Sequence, residues 1–419
     1  MAGAAADGVR VRAGWIFASL LAGLASGLTV GLAVPSLAAR LLAVAEPTGA
    51  LWLNALQMTI VPLVASLLFT GIAQTVKAAQ AGRLARRALL LFLALLTAGA
   101  SFSALLTPTL LALAPIPAGA AEAMRHGLKG AEPGPVPGIA AFLGSLIPAN
   151  IVAAAADGAV LPLIVFMAVF ALAAMRLPEY QRLHLTGLFE AVAGAMLVVI
   201  GWVLALAPIG VFALSFAVAA RSGTAAIGAL AHYVAVVTIA GACVLAAAYG
   251  VAVAFGRQRL PAFARAMLPA QAVALSTQSS LASLPAMLGV CRTLGVRAST
   301  ADLVLPLAVA LFRATGPAMN LAVAIYVARW FGILLTPGTL VAGVAVATLT
   351  TLGAVSLPGA VSFVTSIGPI ALTMGVPVAP LALLIAVELF PDLMRTLGNV
   401  TMDVAVTTAV DRAADPDAG

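Results

Sequence analysis

Asp392, Arg395, Asn399 and Asp403 stand at i, i+3, i+7 and i+11 near the C-terminal end of the sequence, a spacing that places all four on one face of a helix. Around them runs Glu388-Leu-Phe-Pro-Asp392-Leu-Met-Arg395-Thr396-Leu-Gly-Asn399-Val-Thr-Met-Asp403, set in a hydrophobic stretch. A charged residue at mid-bilayer depth costs about 2.5–3.5 kcal/mol, so several on one helix require partners or water. This face is therefore expected to look onto a polar site inside the protein, where unlike charges converge.

Two further stretches carry usable chemistry. Ser276-Thr277-Gln278-Ser279-Ser280-Leu281-Ala282-Ser283-Leu284-Pro285 is dense in hydroxyls for so apolar a chain. Hydroxyls and free backbone amides are what a carboxylate needs in a dry pocket, although small polar residues also serve helix packing in membranes. Ser356-Leu357-Pro358-Gly359-Ala360-Val361-Ser362 holds a Pro-Gly pair that breaks a helix and frees backbone groups for binding, or simply links two helices by a turn.

The elements that must position these groups are spanning helices. The 419 residues are 63% hydrophobic and 8% charged, with a mean hydropathy of +1.15, whereas soluble domains carry about a quarter charged residues. This is the composition of a polytopic membrane protein. The net charge of +7 points to short basic loops that set orientation, not to nucleic acid. Cys243 and Cys291 offer neither a disulfide framework nor a CxxC metal motif. Arg10 and Arg12 precede an apolar run that outlasts a signal-peptide core, so the first segment reads as a spanning helix.

Helices are predicted near 14–33, 51–76, 85–115, across a broken region 139–175, and near 188–219, 226–255, 300–333 and 377–410, with interrupted stretches at 262–291 and 338–372. Pro115 to Gly138 is the one long polar insertion, with Glu122, Arg125, His126 and Lys129. The fold class is all-α: eight transmembrane helices and two re-entrant helical hairpins. If the N-terminus is cytoplasmic and neither interrupted stretch crosses, Arg10, Arg12, Lys77, Arg83, Arg86, Arg87, Arg176, Arg182, Arg257, Arg259, Arg265, Arg292 and Arg297 fall inside. Arg40, Arg125, Lys129, Arg221 and Arg329 fall outside, which satisfies the positive-inside rule. Two hairpins entering from opposite faces, each followed by a helix with polar residues, make an inverted repeat with its site at the midplane.

With these motifs in place the sequence resembles the dicarboxylate/amino acid:cation symporter family, the glutamate transporter homologues, over nearly its whole length. The most specific match is Asp392-Leu-Met-Arg395-Thr396-Leu-Gly-Asn399-Val-Thr401-Met-Asp403, similar to the family's D-x-x-R-T-x-x-N-x-T-x-D pattern. Met58-Thr-Ile-Val-Pro62, Ile147-Pro-Ala-Asn150, Val160-Leu-Pro162 and Ala207-Pro-Ile-Gly-Val-Phe212 also look like family stretches. The resemblance implies that Arg395 clamps the side-chain carboxylate of an acidic substrate, Asp392 binds its ammonium group, and Thr396 and Asn399 contact its backbone groups. Ser279 and Ser280, with backbone amides around Pro358 and Gly359, would complete the cage. It further implies a homotrimer with scaffold helices over 14–76 and 139–219. A moving transport domain would comprise 85–115 and 226–410, and 411–419 would form a disordered tail.

The sequence departs from the family at the sodium sites. A gapless alignment puts Phe312-Arg313-Ala314-Thr315-Gly316 where relatives carry N-M-D-G-T; a gapped one puts Asn320-Leu-Ala-Val-Ala324 there and still lacks the Asp. Leu95-Leu96-Thr97-Ala98 replaces a tyrosine-threonine-serine set. Gln278 stands where archaeal relatives often have Arg. Arg313 is a permanent charge that needs a partner in a dry interior, and Asp403 or Asp392 is the expected one. Arg313 is accordingly read as a tethered cation replacing at least one sodium ion, while Asp403 and Asn399 keep one sodium site arguable. Coupling would then come from protons, with Glu388 as the carrier, or from exchange of substrates.

The expected function is secondary active transport of an acidic amino acid or C4-dicarboxylate across the inner membrane by an elevator-type mechanism, with both termini cytoplasmic, no cofactor beyond a coupling Na+ or H+, and no enzymatic activity. Neither HExxH nor GxSxG occurs, and His126, His184 and His232 are scattered. The alternatives are a sodium-coupled symporter of altered stoichiometry, an anion channel, or a sensor that binds without transporting.

Overall fold

The computed structural model describes residues 13–80, 82–117, 147–157, 159–353 and 359–414. Most of the polar insertion, Ser356 to Pro358 of the second tip, and 415–419 lie outside the described residues. Regular structure among the described residues is entirely helical.

The first spanning helix is α1 (Ala13–Ala33), as expected. The second differs from expectation. Helix begins at Pro35, not near 51, as α2 (Pro35–Gln57), and after an interruption at Met58–Thr59 continues as α3 (Ile60–Gln80). Pro35 at the start of α2 has the backbone angle a first turn requires and no N–H to leave unpaired. Arg40, expected in an outside loop, lies within α2, and Glu46 on the same helix is ion-paired with Arg221.

α4 (Arg83–Leu113) follows, then the short α5 (Ile151–Ala156) and α6 (Val160–Ala174). The segment expected at 188–219 is two helices, α7 (Glu179–Ala205) and α8 (Ala207–Ser222). Pro208 removes the N–H that would bond the Leu204 carbonyl, so the helix stops and restarts with proline in its first turn. α1 lies along α8 and α2 against its other side. Gly210 permits the second contact: a Cβ there would stand 2.2 Å from the Trp52 ring, whose Nε1–H donates to the Val203 carbonyl at 2.8 Å.

From α9 (Ala225–Ala254) onward one order occurs twice: a helical hairpin, then an interrupted helix. The first round is α10 (Leu260–Thr277) packed on α11 (Ser280–Thr293), then α12 (Ala298–Leu311) and α13 (Thr315–Trp330). The second is α14 (Pro337–Gly353) packed on α15 (Gly359–Thr373), then α16 (Ala379–Leu384), a 3-10 turn Ile385–Val387, and α17 (Leu389–Ala413). Pro391 cannot bond the Val387 carbonyl, and the chain tightens just before it, leaving Glu388 at the joint.

Buried side chains form two clusters. One joins α1, α2, α3, α6, α7, α8 and parts of α4 and α9 to α13, α14, α15 and residues 381–387. The other joins α4 and α9 through α12 to the second half of α17.

Candidate functional site

Arg395 is held from three sides. Its Nη2 donates to Glu388 Oε1 at 2.6 Å, its Nη1 to Asn320 Oδ1 at 2.7 Å, and its Nε stands 3.5 Å from Asp392 Oδ1. The side chains of Arg395, Glu388 and Asp392 are only 13%, 6% and 18% exposed. Glu388 is gripped at its other end, where the Tyr233 hydroxyl of α9 donates to Oε2 at 2.9 Å. Tyr233 is itself buried, edge-on to Tyr326 with ring centroids 5.3 Å apart. The joint at Glu388 and the face of α17 thus bring the two carboxylates to one guanidinium, while α13 supplies a neutral acceptor.

Asn320 and Tyr233 were not among the sequence-predicted site residues. Each is a polar side chain in a long apolar helix, the pattern that marks an interior site in membrane proteins. Gln271 is a third: its Nε2 donates to the Tyr249 hydroxyl at 2.8 Å and to Thr401 Oγ1 at 3.0 Å, docking the first hairpin on α9 and α17.

The interruption in the seventh predicted helix falls at Phe312–Ala314, where the gapless alignment places the family motif; Asn320 lies well inside α13. Phe312 is anchored by stacking on Phe92 with centroids 4.5 Å apart. Arg313, next to it in the break, acts electrostatically on both Asp392 and Asp403. Asp403 is completely buried, and neither carboxylate oxygen has a hydrogen-bond partner among the described residues. A buried carboxylate in that condition calls for a nearby positive charge.

Asn399 presents its oxygen to the start of α13: Oδ1 accepts from Thr315 N–H at 2.9 Å and from Thr315 Oγ1–H at 2.8 Å. In this arrangement its oxygen already serves two donors and its NH2 remains for a ligand. Thr396 Oγ1 donates to the Asp392 carbonyl at 3.0 Å. At the first tip, Gln278 is exposed in the left-handed region (φ 52°), and Ser279 caps α11 by accepting from Ala282 N–H at 3.2 Å. Among the described residues no hydrogen bond joins Gln278, Ser279 or Ser280 to α17. Gly359 opens α15, and Pro358 lies outside the described residues.

Among the described residues six helices are long and apolar enough to cross a membrane. Together with a buried guanidinium ringed by acceptors, they define a polytopic helical membrane protein with an internal site for charged groups. A model of the sodium:dicarboxylate symporter family matches residues 14–413, and the chain belongs to that family. It is therefore a transport protein, not an enzyme. It is similar to a C4-dicarboxylate transport protein of Rhizobium etli, 27% identical over 95% of this chain and 88% of the relative. It is also similar to the proton/glutamate-aspartate symporter of Escherichia coli K12, 28% identical over 85% and 82%, and to C4-dicarboxylate transport protein 1 of Pseudomonas aeruginosa, 26% identical over 95% and 88%.

Proposed function

We propose that this chain is a secondary active transporter of a small dicarboxylate or acidic amino acid in which sodium coupling is reduced or replaced. The observation that carries the reading is the Arg395 cage. A guanidinium whose donors are met by Glu388 and Asn320 is shaped to exchange its internal carboxylate for one arriving with a substrate. Asp392, beside it, would take a substrate ammonium group. Relatives named for C4-dicarboxylates and for glutamate and aspartate fit either substrate.

The ion side of the proposal rests on Arg313. Its fixed charge acts on Asp392 and Asp403, at the place where the family resemblance implies sodium coordination. On displacement by substrate, Glu388 must either take a proton or remain charged in a dry site, with Tyr233 as its remaining donor. A proton carried with the substrate resolves this, and a named relative is a proton symporter. Exchange of one substrate for another fits the same cage. By the family resemblance the chain would work as an inner-membrane homotrimer, its hairpins re-entrant and its site-bearing half moving against a scaffold.

Uptake and counterflow of labelled succinate and aspartate in proteoliposomes test the proposal. Saturable uptake, abolished by Arg395→Ala, is expected; binding without counterflow would favour a sensor, and ohmic anion conductance a channel.

A further inference from the structure

We infer that the open cleft between the starts of α4 and α12 and the end of α17 binds a phosphate-bearing anion. This cleft, of about 470 Å³, is lined by Arg83, Arg87, Arg297, Ser299, Thr300 and the last-turn residue Ala413. It is formed from different residues than the Arg395 cage.

Two of the arginines are held in place by the end of α17. Arg87 Nη1 donates to the Ala413 carbonyl at 2.7 Å. Arg297 donates from Nε to Asp411 Oδ1 at 2.8 Å and from Nη2 to the Asp411 carbonyl at 2.6 Å. Both keep further N–H groups for a ligand. Among the described residues Arg83 makes no ion pair or side-chain hydrogen bond, and Asp411 is the one acidic side chain bonded to any of the three guanidinium groups.

The backbone adds to the same field. α4 starts after Gly82 and α12 after Arg297, neither has a side-chain cap, and neither has an acidic residue in its first turn. Two helix starts with unpaired N–H groups and positive dipole ends therefore meet three arginines and two hydroxyl residues. The chemistry recognised is a phosphate group. α4 is long and apolar enough to cross a membrane, which would set its start near the lipid phosphates, and a headgroup or a soluble phosphate would offer the same ligand.

The test uses the full chain in detergent, with native mass spectrometry after exposure to phosphatidylglycerol or phosphatidylcholine and calorimetry with inorganic phosphate. The wild type is expected to retain phosphatidylglycerol over phosphatidylcholine. Arg83→Gln should lower that retention about fivefold, and Arg83→Lys should keep most of it. Arg83 is exposed, so the thermal midpoint should be unchanged in both variants. Inorganic phosphate that binds and displaces the lipid identifies a soluble source; lipid retention that excess phosphate leaves intact identifies the headgroup. Equal retention of the two lipids with no heat from phosphate, or retention unaffected by Arg83→Gln, overturns the proposal. Asp415 and Asp417 follow in sequence, so a variant with both changed to Asn is measured alongside. Anion binding that appears only in that variant also overturns it, in favour of an internal anion.

Discussion

Replacing Glu388 by Gln separates the internal carboxylate from the substrate it competes with. In the wild type Glu388 accepts from Arg395 at 2.6 Å and from Tyr233 at 2.9 Å, both in a nearly dry setting. Gln has similar volume, but its one oxygen must serve both donors while its NH2 group faces them. At least one charge-assisted hydrogen bond of about 1.5–3 kcal/mol becomes a neutral one of about 1 kcal/mol. The internal competitor is weakened by about 1–2 kcal/mol, which predicts roughly five- to thirtyfold tighter substrate binding. The same change removes the group that takes up the proton, so accumulation driven by an inward proton gradient should vanish while counterflow persists. Equilibrium binding by calorimetry and gradient-driven uptake in proteoliposomes read the two effects independently. A Glu388→Gln protein that binds substrate no more tightly and still responds to the proton gradient refutes the reasoning.

Asn320→Leu leaves Nη1 of Arg395 without its acceptor, a loss of about 1–3 kcal/mol, and should weaken substrate binding about tenfold without unfolding the chain. Arg395→Lys replaces a planar fork by a point charge and should reduce uptake at least a hundredfold at sub-saturating substrate. Arg313→Met removes the charge acting on Asp403; its thermal midpoint should fall in sodium-free buffer and recover as sodium is added, by about 2.7 kcal/mol at a hundred times the dissociation constant. Gly210→Ala drives a Cβ to 2.2 Å from the Trp52 ring and should lower the thermal midpoint while leaving the substrate affinity of the surviving fold unchanged.

Much of this architecture is legible in the sequence because a bilayer reduces the choices to long apolar helices, and the charged stripe of α17 stands out against them. The helix expected over 300–333 is instead interrupted at Phe312–Ala314, where the gapless alignment places the family motif without signalling a break. Helix was missed over 35–50, where Arg40 was read as a loop residue; it belongs to α2, whose Glu46 pairs with Arg221 of α8. The partners of Arg395 were half visible. Asp392 shares its helix and follows from spacing; Glu388, expected as a proton carrier, sits at the joint before that helix, and Asn320 and Tyr233 come from helices distant in sequence. Their polar atoms in apolar surroundings were the available signal. Asn399 was legible as a site residue, but its engagement with the start of α13 depends on the chain break before Thr315, which only the three-dimensional path reveals.

We propose that Arg313 supplies, as part of the chain, positive charge where the family resemblance implies a sodium ion. It is tested by the initial rate of labelled substrate uptake into proteoliposomes under an inward sodium gradient, compared with an equal choline gradient at matched pH and membrane potential. Closely similar rates in the two salts are expected for the wild type. Uptake that depends steeply on sodium would contradict it.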